Sequence, residues 1–432
     1  MAITTDLLII GSGPGGYRTA EYAARNGLHV VIAEKGNVGG TCLNCGCIPT
    51  KILCHEAERA EQDLHIDFPQ VMERKEQVIG QLRGGVETLL SQPHITLLRG
   101  TALFKDSQTV IIGEEEYQAK DIVIATGSCA KIPKAIEGIG LPHVMTSTEL
   151  LSIDHIPSKL CVIGAGVVGM EFASAFASMG SEVVVIEYMK ECLPSLDGDI
   201  AKRLRKAIEK RGIKFFMQAG VKRIDEHQVF FDCKGKENVI DADIVLVATG
   251  RAANVEGLHL ESAGIQSEGK GILVDDNMQT NVPHIYAIGD VNGRQMLAHA
   301  ATFQGFRAVN HILGKTDKIR FDIMPAAIFT YPEAASVGWT EEKCKEEGIN
   351  YTCHKGYYRA NGKALAINAP EGMVKLLTDA GHKVIGCHIY GAHASDMVQE
   401  ITVLMNHEGT LEDLQETIHI HPTLSEILQE IK

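Results

Sequence analysis

The stretch Gly11-Ser-Gly-Pro-Gly-Gly16 decides the fold, because its pattern recurs as Gly164-Ala-Gly-Val-Val-Gly169. Each copy follows a short apolar run and precedes a helix-like segment and a second apolar run. That second run ends in Glu34 in the first copy and in Glu187 in the second, at the same distance after the first glycine. A single loop of this kind is weak evidence, whereas two copies with matched spacing predict two Rossmann-type βαβ units, each binding one dinucleotide.

Each glycine of the loop has a separate function in such a unit. The first allows a tight turn, the second lets the backbone approach a pyrophosphate, and the third lets the helix pack on the sheet. Glu34 and Glu187 are expected to accept hydrogen bonds from ribose hydroxyls. The residues after Glu187 are Tyr-Met-Lys-Glu without an arginine, so NAD is favoured over NADP, and Lys190 is the one residue that argues for NADP.

The rest of the chain supports an α/β fold with a further domain. Each unit is followed by an apolar strand that ends in Ala-Thr-Gly, at Gly127 and at Gly250. From Phe321 onward, strand-like stretches alternate with amphipathic helices and there is no glycine-rich loop, which predicts a C-terminal α+β domain. We expect the first dinucleotide-binding domain to comprise residues 1–150 and 271–320, the second residues 151–270, and the last residues 321–432.

Two cysteines, Cys42 and Cys47, follow the first unit in the segment Gly39–Lys51. A thiol pair beside a flavin or nicotinamide is a device for moving two electrons between sulfur and hydride carriers. On an ideal helix their Cα atoms would lie about 8.6 Å apart, and a disulfide usually needs less than about 7 Å. The pair can therefore close only if the helix is distorted, which Gly46 and Pro49 permit or impose.

A third cysteine, Cys45, lies three positions after Cys42, or about 5 Å on an ideal helix, and could compete for the bridge. Cys45 is also compatible with the role of a small buried apolar residue. A different interpretation is a zinc cluster of the neighbouring cysteines and histidine. That cluster would comprise Cys42, Cys45, Cys47, Cys54 and His55.

Near the end, the chain reads Thr417-Ile-His-Ile-His-Pro-Thr-Leu-Ser-Glu426. Pro422 suits the first position of a final helix, so His421 would be held just outside it, with Glu426 placed to bind its imidazole. Alternatively, Thr423 and Glu426 form a capping box and His421 merely precedes it. Since a thiol pair needs a proton acceptor, we favour His421 as a base.

Composition narrows the class of protein. The 432 residues carry a net charge of −14 without a cluster of Lys and Arg, which argues against nucleic acid or an anionic membrane as partner. No apolar run approaches the roughly 20 residues that span a bilayer, and we expect no signal or transit peptide before the first strand. Eleven scattered cysteines do not suggest a secreted disulfide framework. We expect a cytoplasmic enzyme whose disulfide is catalytic.

The chain resembles the flavin-dependent pyridine nucleotide–disulfide oxidoreductases from about residue 6 to about residue 430, and within them it is most similar to the dihydrolipoyl dehydrogenases. The motifs that carry the resemblance are Gly-Ser-Gly-Pro-Gly-Gly-Tyr17, Gly-Gly-Thr-Cys-Leu-Asn-x-Gly-Cys-Ile-Pro-Thr-Lys51, Ala-Thr-Gly-Arg251, Tyr-Ala-Ile-Gly-Asp290, Met296-Leu-Ala-His299 and His419-x-His-Pro-Thr-Leu-Ser-Glu426. It implies FAD in the first unit and NAD in the second. It also implies a homodimer in which His421 of one subunit serves the cysteines of the other.

The resemblance implies a reaction as well. Dihydrolipoamide would attack Cys42, His421 oriented by Glu426 would take the proton, and Cys47 would become a thiolate against the flavin. Lys51 would lie beside the flavin and pair with Glu171. The substrate would arrive on a lipoyl-carrier protein of a 2-oxo acid dehydrogenase or glycine cleavage complex, because no lipoyl domain is expected before residue 1.

The same resemblance implies the residues that hold the cofactors. Those implied for FAD are Gly11, Gly13, Gly16, Glu34, Lys35, Gly40, Thr41, Lys51, Ala102, Thr126, Gly127, Ser128, Asp290, Met296, Leu297, Ala298 and His299. Those implied for NAD are Gly164, Gly166, Val167, Val168, Gly169, Glu187, Val221 and Gly250. No resident metal is expected.

Two departures leave alternatives open. The position of Cys45 is usually apolar in the family, and the chain is shorter than most relatives. Another disulfide reductase is the first alternative, although mercuric reductases carry a C-terminal cysteine pair, and no cysteine follows Cys387. Glutathione reductases use NADPH and lack the histidine that is His419 here. The second alternative, a slow flavin-bound redox sensor, is supported by Cys45 alone.

Overall fold

The computed structural model describes residues 3–61 and 65–431. The chain forms two compact units, each built from three segments. Among these residues, the first unit comprises 3–50, 72–131 and 250–319, and the second comprises 51–61, 65–71, 132–249 and 320–431.

A parallel sheet lies at the centre of the first unit. Its strands, in spatial order, are Ile95–Arg99, Val30–Glu34, Ile3–Ile10, Glu115–Ile124 and Ile285–Ala287. Strands Thr109–Ile112 and Ala102–Phe104 extend it in antiparallel fashion. Its helices are Pro14–Arg25, Gly40–Cys45, Phe68–Leu90 and Ala298–Ile312, and its short pairs are Ser128–Ala130 with Arg251–Ala253 and Ser267–Glu268 with Gly271–Ile272. The buried apolar side chains of the strands form one core.

The second unit contains a second parallel sheet. Its strands, in spatial order, are Lys214–Met217, Glu182–Glu187, Lys159–Ile163, Ile244–Val247 and Val144–Met145. Helices Ser147–Leu150, Val167–Ser178 and Gly198–Glu209 accompany it. An antiparallel sheet of Ala219–Ile224, Gln228–Cys233 and Lys236–Asp241 adds to the same core.

The C-terminal part of the second unit is an antiparallel sheet with helices. The strands follow the order Ala326–Ile328, Ala334–Gly338, Val384–Tyr390, Met373–Thr378 and Thr352–Tyr357. Its helices are Glu341–Glu346, Gly362–Ala366, Ala394–Asn406, Leu411–Glu416 and Glu426–Gln429. The predicted fold class, two Rossmann-type domains and a C-terminal α+β domain, is confirmed. Between residues 3 and 61 and between 65 and 431, no helix has the length and apolar character needed to cross a membrane.

The two glycine loops are built alike down to single contacts. A Cβ on Gly11 would lie 2.5 Å from the Ala125 carbonyl oxygen, and one on Gly164 would lie 2.5 Å from that of Ala248. At the third glycine of each loop the clearance is smaller still, about 2 Å from the carbonyl oxygen of the first glycine. The predicted repeat is therefore a repeat in space, and glycine is required at these positions because no side chain fits.

Two features differ from the sequence-based expectations. Pro422 does not open the final helix, which begins four residues later at Glu426 and is a single turn. The domain bounds also differ: residues 132–150, grouped above with the first dinucleotide-binding domain, lie in the second unit. Residues 250–270, grouped above with the second dinucleotide-binding domain, pack in the first unit, where Leu258, Leu260 and Ile265 join its core. Residues 250–270 pack in the first unit because their strand Arg251–Ala253 pairs with Ser128–Ala130 of that unit.

A fully buried ion pair joins the second Rossmann domain to the C-terminal sheet inside the second unit. The Lys375 Nζ donates to Asp197 Oδ1 at 2.6 Å and also contacts Glu341, and the side chains of Lys375 and Asp197 are both 0 % exposed. Burial alone would raise the pKa of Asp197, but the hydrogen bonds from Lys375 and from the Glu341 N–H hold that pKa below its usual value. Asp197 also caps the helix Gly198–Glu209.

Replacing Lys375 with methionine should lower the free energy of unfolding by about 3–5 kcal/mol, because it leaves the buried Asp197 carboxylate without its cation. Urea denaturation followed by circular dichroism measures the loss. Lys383→Met is the matched control, since Lys383 forms a half-exposed pair with Glu408 at 2.9 Å, and loss of a solvent-screened pair should change the free energy of unfolding far less. Equal losses in the two variants would contradict this account of Lys375.

Candidate active site

The first glycine loop presents an uncapped helix end. Helix Pro14–Arg25 begins after Gly13, which makes no side-chain cap, so the first N–H groups of the helix point toward a potential anion. Gly40 lies directly against Gly13, and a Cβ on Gly40 would stand 2.7 Å from the Gly13 Cα. These features fit the pyrophosphate of a dinucleotide, which needs backbone donors and no intervening side chain.

The acidic residue of each unit is fixed by the loop that it faces. Glu34 Oε2 accepts from the Ser12 N–H at 2.9 Å, and Glu34 Oε1 accepts from the Gly36 N–H at 2.7 Å. Glu187 makes the equivalent bonds, from the Ala165 N–H at 2.6 Å and the Met189 N–H at 2.7 Å. The contacts orient each carboxylate at its strand end. Glu34 Oε2 also accepts from the Ser12 hydroxyl at 2.6 Å, whereas Glu34 Oε1 and both Glu187 oxygens each retain a lone pair for a ribose hydroxyl.

The second glycine loop leaves open space above its helix. Helix Val167–Ser178 begins after Gly166, again without a side-chain cap, and a Cβ on Gly166 would meet no atom within 4 Å. Val167 and Val168 occupy the first helical turn. The residues of this loop therefore fit a second dinucleotide.

A hydrogen-bond network surrounds Asp290, which lies just after the strand Ile285–Ala287. The Ser128 hydroxyl donates to Asp290 Oδ2 at 2.5 Å, while Arg251 Nε donates to the Ser128 oxygen at 2.6 Å. The second Arg251 nitrogen donates to the Ser128 carbonyl, also at 2.6 Å. Arg251 fixes both Ser128 and the Asp290 carboxylate. It was absent from the predicted site, although it directly follows an Ala-Thr-Gly motif.

The helix that carries the cysteines is interrupted between Cys42 and Cys47, as their spacing requires for a disulfide. Helix Gly40–Cys45 ends before Gly46, and a new helix, Cys47–Ala60, begins directly after it. Gly46 packs against the preceding turn so closely that a Cβ there would lie 2.9 Å from the Thr41 carbonyl oxygen. The predicted distortion between Cys42 and Cys47 is confirmed and is centred on Gly46. Pro49 falls in the first turn of the new helix, where its missing N–H costs nothing.

Arg83 and Asn44 hold the first of these helices in place. The Asn44 amide donates to the carbonyls of Val38 and Gly40, both at 2.9 Å. Its oxygen accepts from Arg83 Nε at 3.0 Å and from a terminal Arg83 nitrogen at 2.8 Å. The Gly39 N–H also donates to the Ser12 carbonyl at 2.9 Å. The segment is thus fixed to the glycine loop, a role for Asn44 and Arg83 that sequence reasoning missed.

Lys51 and Glu171 form the predicted ion pair inside the second unit. Lys51 Nζ donates to both Glu171 oxygens, at 2.9 and 2.8 Å, and lies 4.6 Å from the centre of the Phe329 ring. The Glu171 side chain is only 4 % exposed, and one of its oxygens also accepts from the Phe329 N–H at 3.0 Å. The lysine head group is therefore held in one position.

His421 contacts Glu426 as predicted. Its Nδ1 lies 2.9 Å from Glu426 Oε1, and its side chain is 80 % exposed. The other Glu426 oxygen accepts from the Thr423 N–H at 2.8 Å, while the Thr423 hydroxyl donates to the Ile420 carbonyl. Of the alternative capping box, only the bond from the Thr423 N–H to Glu426 is present. The Glu426 carboxylate therefore contacts both Thr423 and His421. The bonds from Thr423 and His421 lower the pKa of Glu426, so it remains ionised and fixes Nδ1–H as the donor.

The other residues predicted for FAD lie in the first unit, apart from Lys51, which belongs to the second. The Thr126 hydroxyl donates to the Asn254 carbonyl at 2.7 Å, next to Gly127. Ala102 is buried in a strand, and Lys35 is exposed after Glu34. The residues around the start of helix Ala298–Ile312 are Met296, Leu297, Ala298 and His299. Of those predicted for NAD, Val221 lies in the second unit and Gly250 in the first.

The cysteines differ in burial. Cys42 and Cys45 are half-buried and Cys47 is exposed, so Cys45 is not the fully buried apolar residue considered above. Burial raises the pKa of the Cys54 thiol, the next along the chain. Across residues 3–61 and 65–431, no group of three or more Cys, His, Asp or Glu side chains is arranged to hold a metal ion.

Two family descriptions match the chain. Residues 5–305 match the pyridine nucleotide-disulphide oxidoreductases, and residues 324–431 match the dimerisation domain of that family. The chain is 39% identical to the dihydrolipoyl dehydrogenase of Bacillus subtilis, covering 99% of this chain and 96% of that protein. It is 37% identical to the mitochondrial dihydrolipoyl dehydrogenase 1 of Arabidopsis thaliana, covering 98% and 89%.

A solved structure is similar throughout. The HOCl-induced flavoprotein disulfide reductase RclA from Escherichia coli superimposes with a TM-score of 0.90 at 30% identity, over 99% of each chain. The paired glycine loops, the broken cysteine segment and the C-terminal antiparallel sheet agree with these matches. The chain belongs to the pyridine nucleotide-disulphide oxidoreductases.

Proposed function

We propose that the protein catalyses the NAD-dependent oxidation of dihydrolipoamide, the activity that names its relatives from Bacillus and Arabidopsis. The observation that carries the proposal is the His421–Glu426 pair. Because Glu426 holds Nδ1 as a donor, Nε2 is the nitrogen that accepts a proton, and oxidising a dithiol requires a proton acceptor.

The chemistry begins at Cys42, the exchange thiol of a Cys42–Cys47 disulfide. A thiolate of dihydrolipoamide, formed as His421 takes its proton, attacks the Cys42 sulfur. The Cys42–Cys47 bond breaks and Cys47 leaves as a thiolate. The second substrate thiol then attacks the substrate sulfur bonded to Cys42, and its proton passes to the departing Cys42 sulfur, which releases lipoamide and the Cys42 thiol. The substrate dithiol has become a disulfide, and the protein disulfide has become a dithiol.

The cofactors are FAD and NAD. Bound FAD would accept the electron pair from the protein dithiol and deliver it as hydride to NAD. In the first unit, the loop that includes Gly13 would hold the FAD pyrophosphate, Glu34 its ribose, and Asp290 its ribityl chain. Lys51, held by Glu171, would place a cation beside the flavin.

NAD is the preferred nicotinamide dinucleotide in this proposal. Glu187 lies at the end of its strand with both oxygens oriented by backbone N–H groups, ready to accept from ribose hydroxyls. A 2′-phosphate at that place would face a carboxylate, which repels it. Lys190 is the only cation in the four residues after Glu187.

We assign residues 1–131 and 250–320 to FAD binding, 132–249 to NAD binding and 321–432 to the dimer interface. These bounds differ from the sequence-based ones because residues 132–150 pack in the second unit and residues 250–270 in the first. The chain carries the family's dimerisation domain, and we propose a homodimer in which each His421 serves the other subunit's cysteines. A lipoyl-carrier protein of a 2-oxo acid dehydrogenase or glycine cleavage complex would deliver the substrate in the cytoplasm.

A second candidate is the reduction of another disulfide, as the similarity to RclA suggests. A steady-state assay of the purified holoprotein separates the two functions. Dihydrolipoamide with NAD should give NADH rapidly, and dihydrolipoamide with NADP should give little product. A strict requirement for NADP, or no turnover by a protein that carries flavin, would defeat the proposal.

A further inference from the structure

The proposed reaction uses Cys42 and Cys47 and leaves Cys45 without a function. Cys42 and Cys45 lie in the same short helix, Gly40–Cys45, three positions apart. On such a helix their Cα atoms are separated by about 5 Å, inside the range of about 4.4–6.8 Å that disulfides span. The helix thus presents a Cys-x-x-Cys pair.

Cys47 lies on the other side of the break at Gly46. It begins the helix that follows Gly46, whose backbone bends tightly against Thr41. Helical periodicity therefore places Cys45 beside Cys42, whereas the break releases Cys47 from the wider spacing that a continuous helix would impose on it.

The spacing between Cys42 and Cys45 is fixed by neighbouring contacts. Asn44 lies between them in sequence. Its amide donates to the carbonyls of Val38 and Gly40, and its oxygen accepts two hydrogen bonds from Arg83. These hydrogen bonds hold in place the helix Gly40–Cys45, on which the spacing of Cys42 and Cys45 depends.

Cys45 is also accessible, whereas five of the other ten cysteines are buried. It is half-buried, like Cys42. Burial raises the pKa of six thiols elsewhere, which suppresses the thiolate that attacks a disulfide. Those six are Cys54, Cys161, Cys192, Cys344, Cys353 and Cys387.

We propose that Cys45 is a second redox partner of Cys42, an inference that rests on the proposed Cys42–Cys47 chemistry. The Cys45 thiolate attacks the Cys42 sulfur, the Cys42–Cys47 bond breaks, and a Cys42–Cys45 bond forms. Cys47 leaves as a thiolate and takes up the proton that Cys45 gave up. The exchange is an isomerisation without net oxidation, so it needs no external oxidant.

The two isomers differ in the sulfur that a substrate dithiol expels from Cys42, which is Cys47 in one isomer and Cys45 in the other. Complete reduction of either isomer gives the same three thiols, Cys42, Cys45 and Cys47. The exchange therefore changes which cysteine remains a thiol in the oxidised enzyme, and it leaves the reduced enzyme unchanged.

Mapping the remaining thiol tests the proposal. Oxidised holoprotein is incubated at a series of pH values, quenched in acid with denaturant and N-ethylmaleimide, digested and sequenced by tandem mass spectrometry. A Cys42–Cys47 bridge leaves the adduct on Cys45, whereas a Cys42–Cys45 bridge leaves it on Cys47. The proposal predicts both adducts, and their ratio should become constant sooner at higher pH because the thiolate is the attacking species. An adduct on Cys45 alone at every pH overturns it.

Three variants sharpen the test. Cys45→Val should give no adduct on this peptide and should keep turnover within about twofold, since the hydrophobic replacement preserves volume. Cys47→Ser, oxidised with glutathione disulfide, should still form an internal Cys42–Cys45 bridge, and the double variant Cys45→Val/Cys47→Ser should not. If Cys47→Ser keeps two alkylable thiols, the proposal is wrong. Because mapping needs no turnover, these results are independent of whether dihydrolipoamide is the substrate.

Discussion

Replacing His421 with alanine is expected to lower the turnover of dihydrolipoamide with NAD by about 10²–10⁴-fold, the usual contribution of a positioned general base. The variant removes the imidazole whose Nδ1 is bonded to Glu426. Flavin content and the rate at which NADH reduces the flavin should stay unchanged, because neither step requires this proton acceptor. Steady-state assays and stopped-flow absorbance measure the two quantities.

His382→Ala is the matched control for this variant. His382 also contacts a glutamate through Nδ1, and its side chain is 62% exposed, so the pair resembles His421–Glu426 in chemistry and exposure. Its loss should leave turnover unchanged. Glu426→Gln should lower turnover less than His421→Ala does, because the imidazole remains. If His421→Ala turned over like the parent protein, His421 would be only a neighbour of the Thr423–Glu426 cap.

Replacing Cys42 with serine should reduce dihydrolipoamide turnover to less than about one thousandth, since removing a covalent nucleophile usually costs that much or more. A serine hydroxyl cannot form the disulfide that the substrate thiolate attacks. Reduction of the bound flavin by NADH should persist, which separates loss of the thiol from loss of the cofactor site.

Cys129→Ser controls for the loss of an accessible thiol from the same unit. Cys129 is exposed in the strand Ser128–Ala130 and has no part in the proposed reaction, so turnover should be unchanged. Substantial activity in Cys42→Ser would mean that another cysteine receives the substrate thiolate, and the proposed order of Cys42 and Cys47 would be wrong.

The glycine loops could be predicted from sequence because their requirements are local. A Cβ at Gly16 or at Gly169 would nearly coincide with a carbonyl oxygen of its own loop. Such constraints allow only glycine at these positions, so the glycine pattern can be recognised in a single sequence. The break at Gly46 was predictable for a similar reason, since the spacing of Cys42 and Cys47 demanded it.

Other parts of the site depend on contacts between residues that are distant in sequence. Arg83 reaches Asn44, and Lys375 reaches Asp197, with nothing in either local sequence to indicate the partner. Arg251 follows an Ala-Thr-Gly motif that was recognised from sequence. Its hydrogen bond to the Ser128 carbonyl, however, depends on the pairing of the short strands Ser128–Ala130 and Arg251–Ala253. Long-range pairing of this kind leaves no periodic signal.

The final helix was misjudged for a different reason. Pro422 is typical of a first helical position, but the carboxylate of Glu426 is bonded both to His421 and to the Thr423 N–H. These bonds stabilise a loop between Pro422 and Ser425, and the helix starts only at Glu426. The contacts of one side chain override the local preference of proline.

In the proposed reaction, Cys42 and Cys47 carry the electron pair from a dithiol to NAD. Counting the thiols in single-turnover steps tests whether they do. Oxidised holoprotein is mixed anaerobically with equimolar dihydrolipoamide, then with NAD, and samples are alkylated after each addition. The account predicts that the first addition creates new alkylation sites at Cys42 and Cys47, and that NAD removes them while an equal amount of NADH appears. Formation of NADH with no change in alkylation at either cysteine would contradict it.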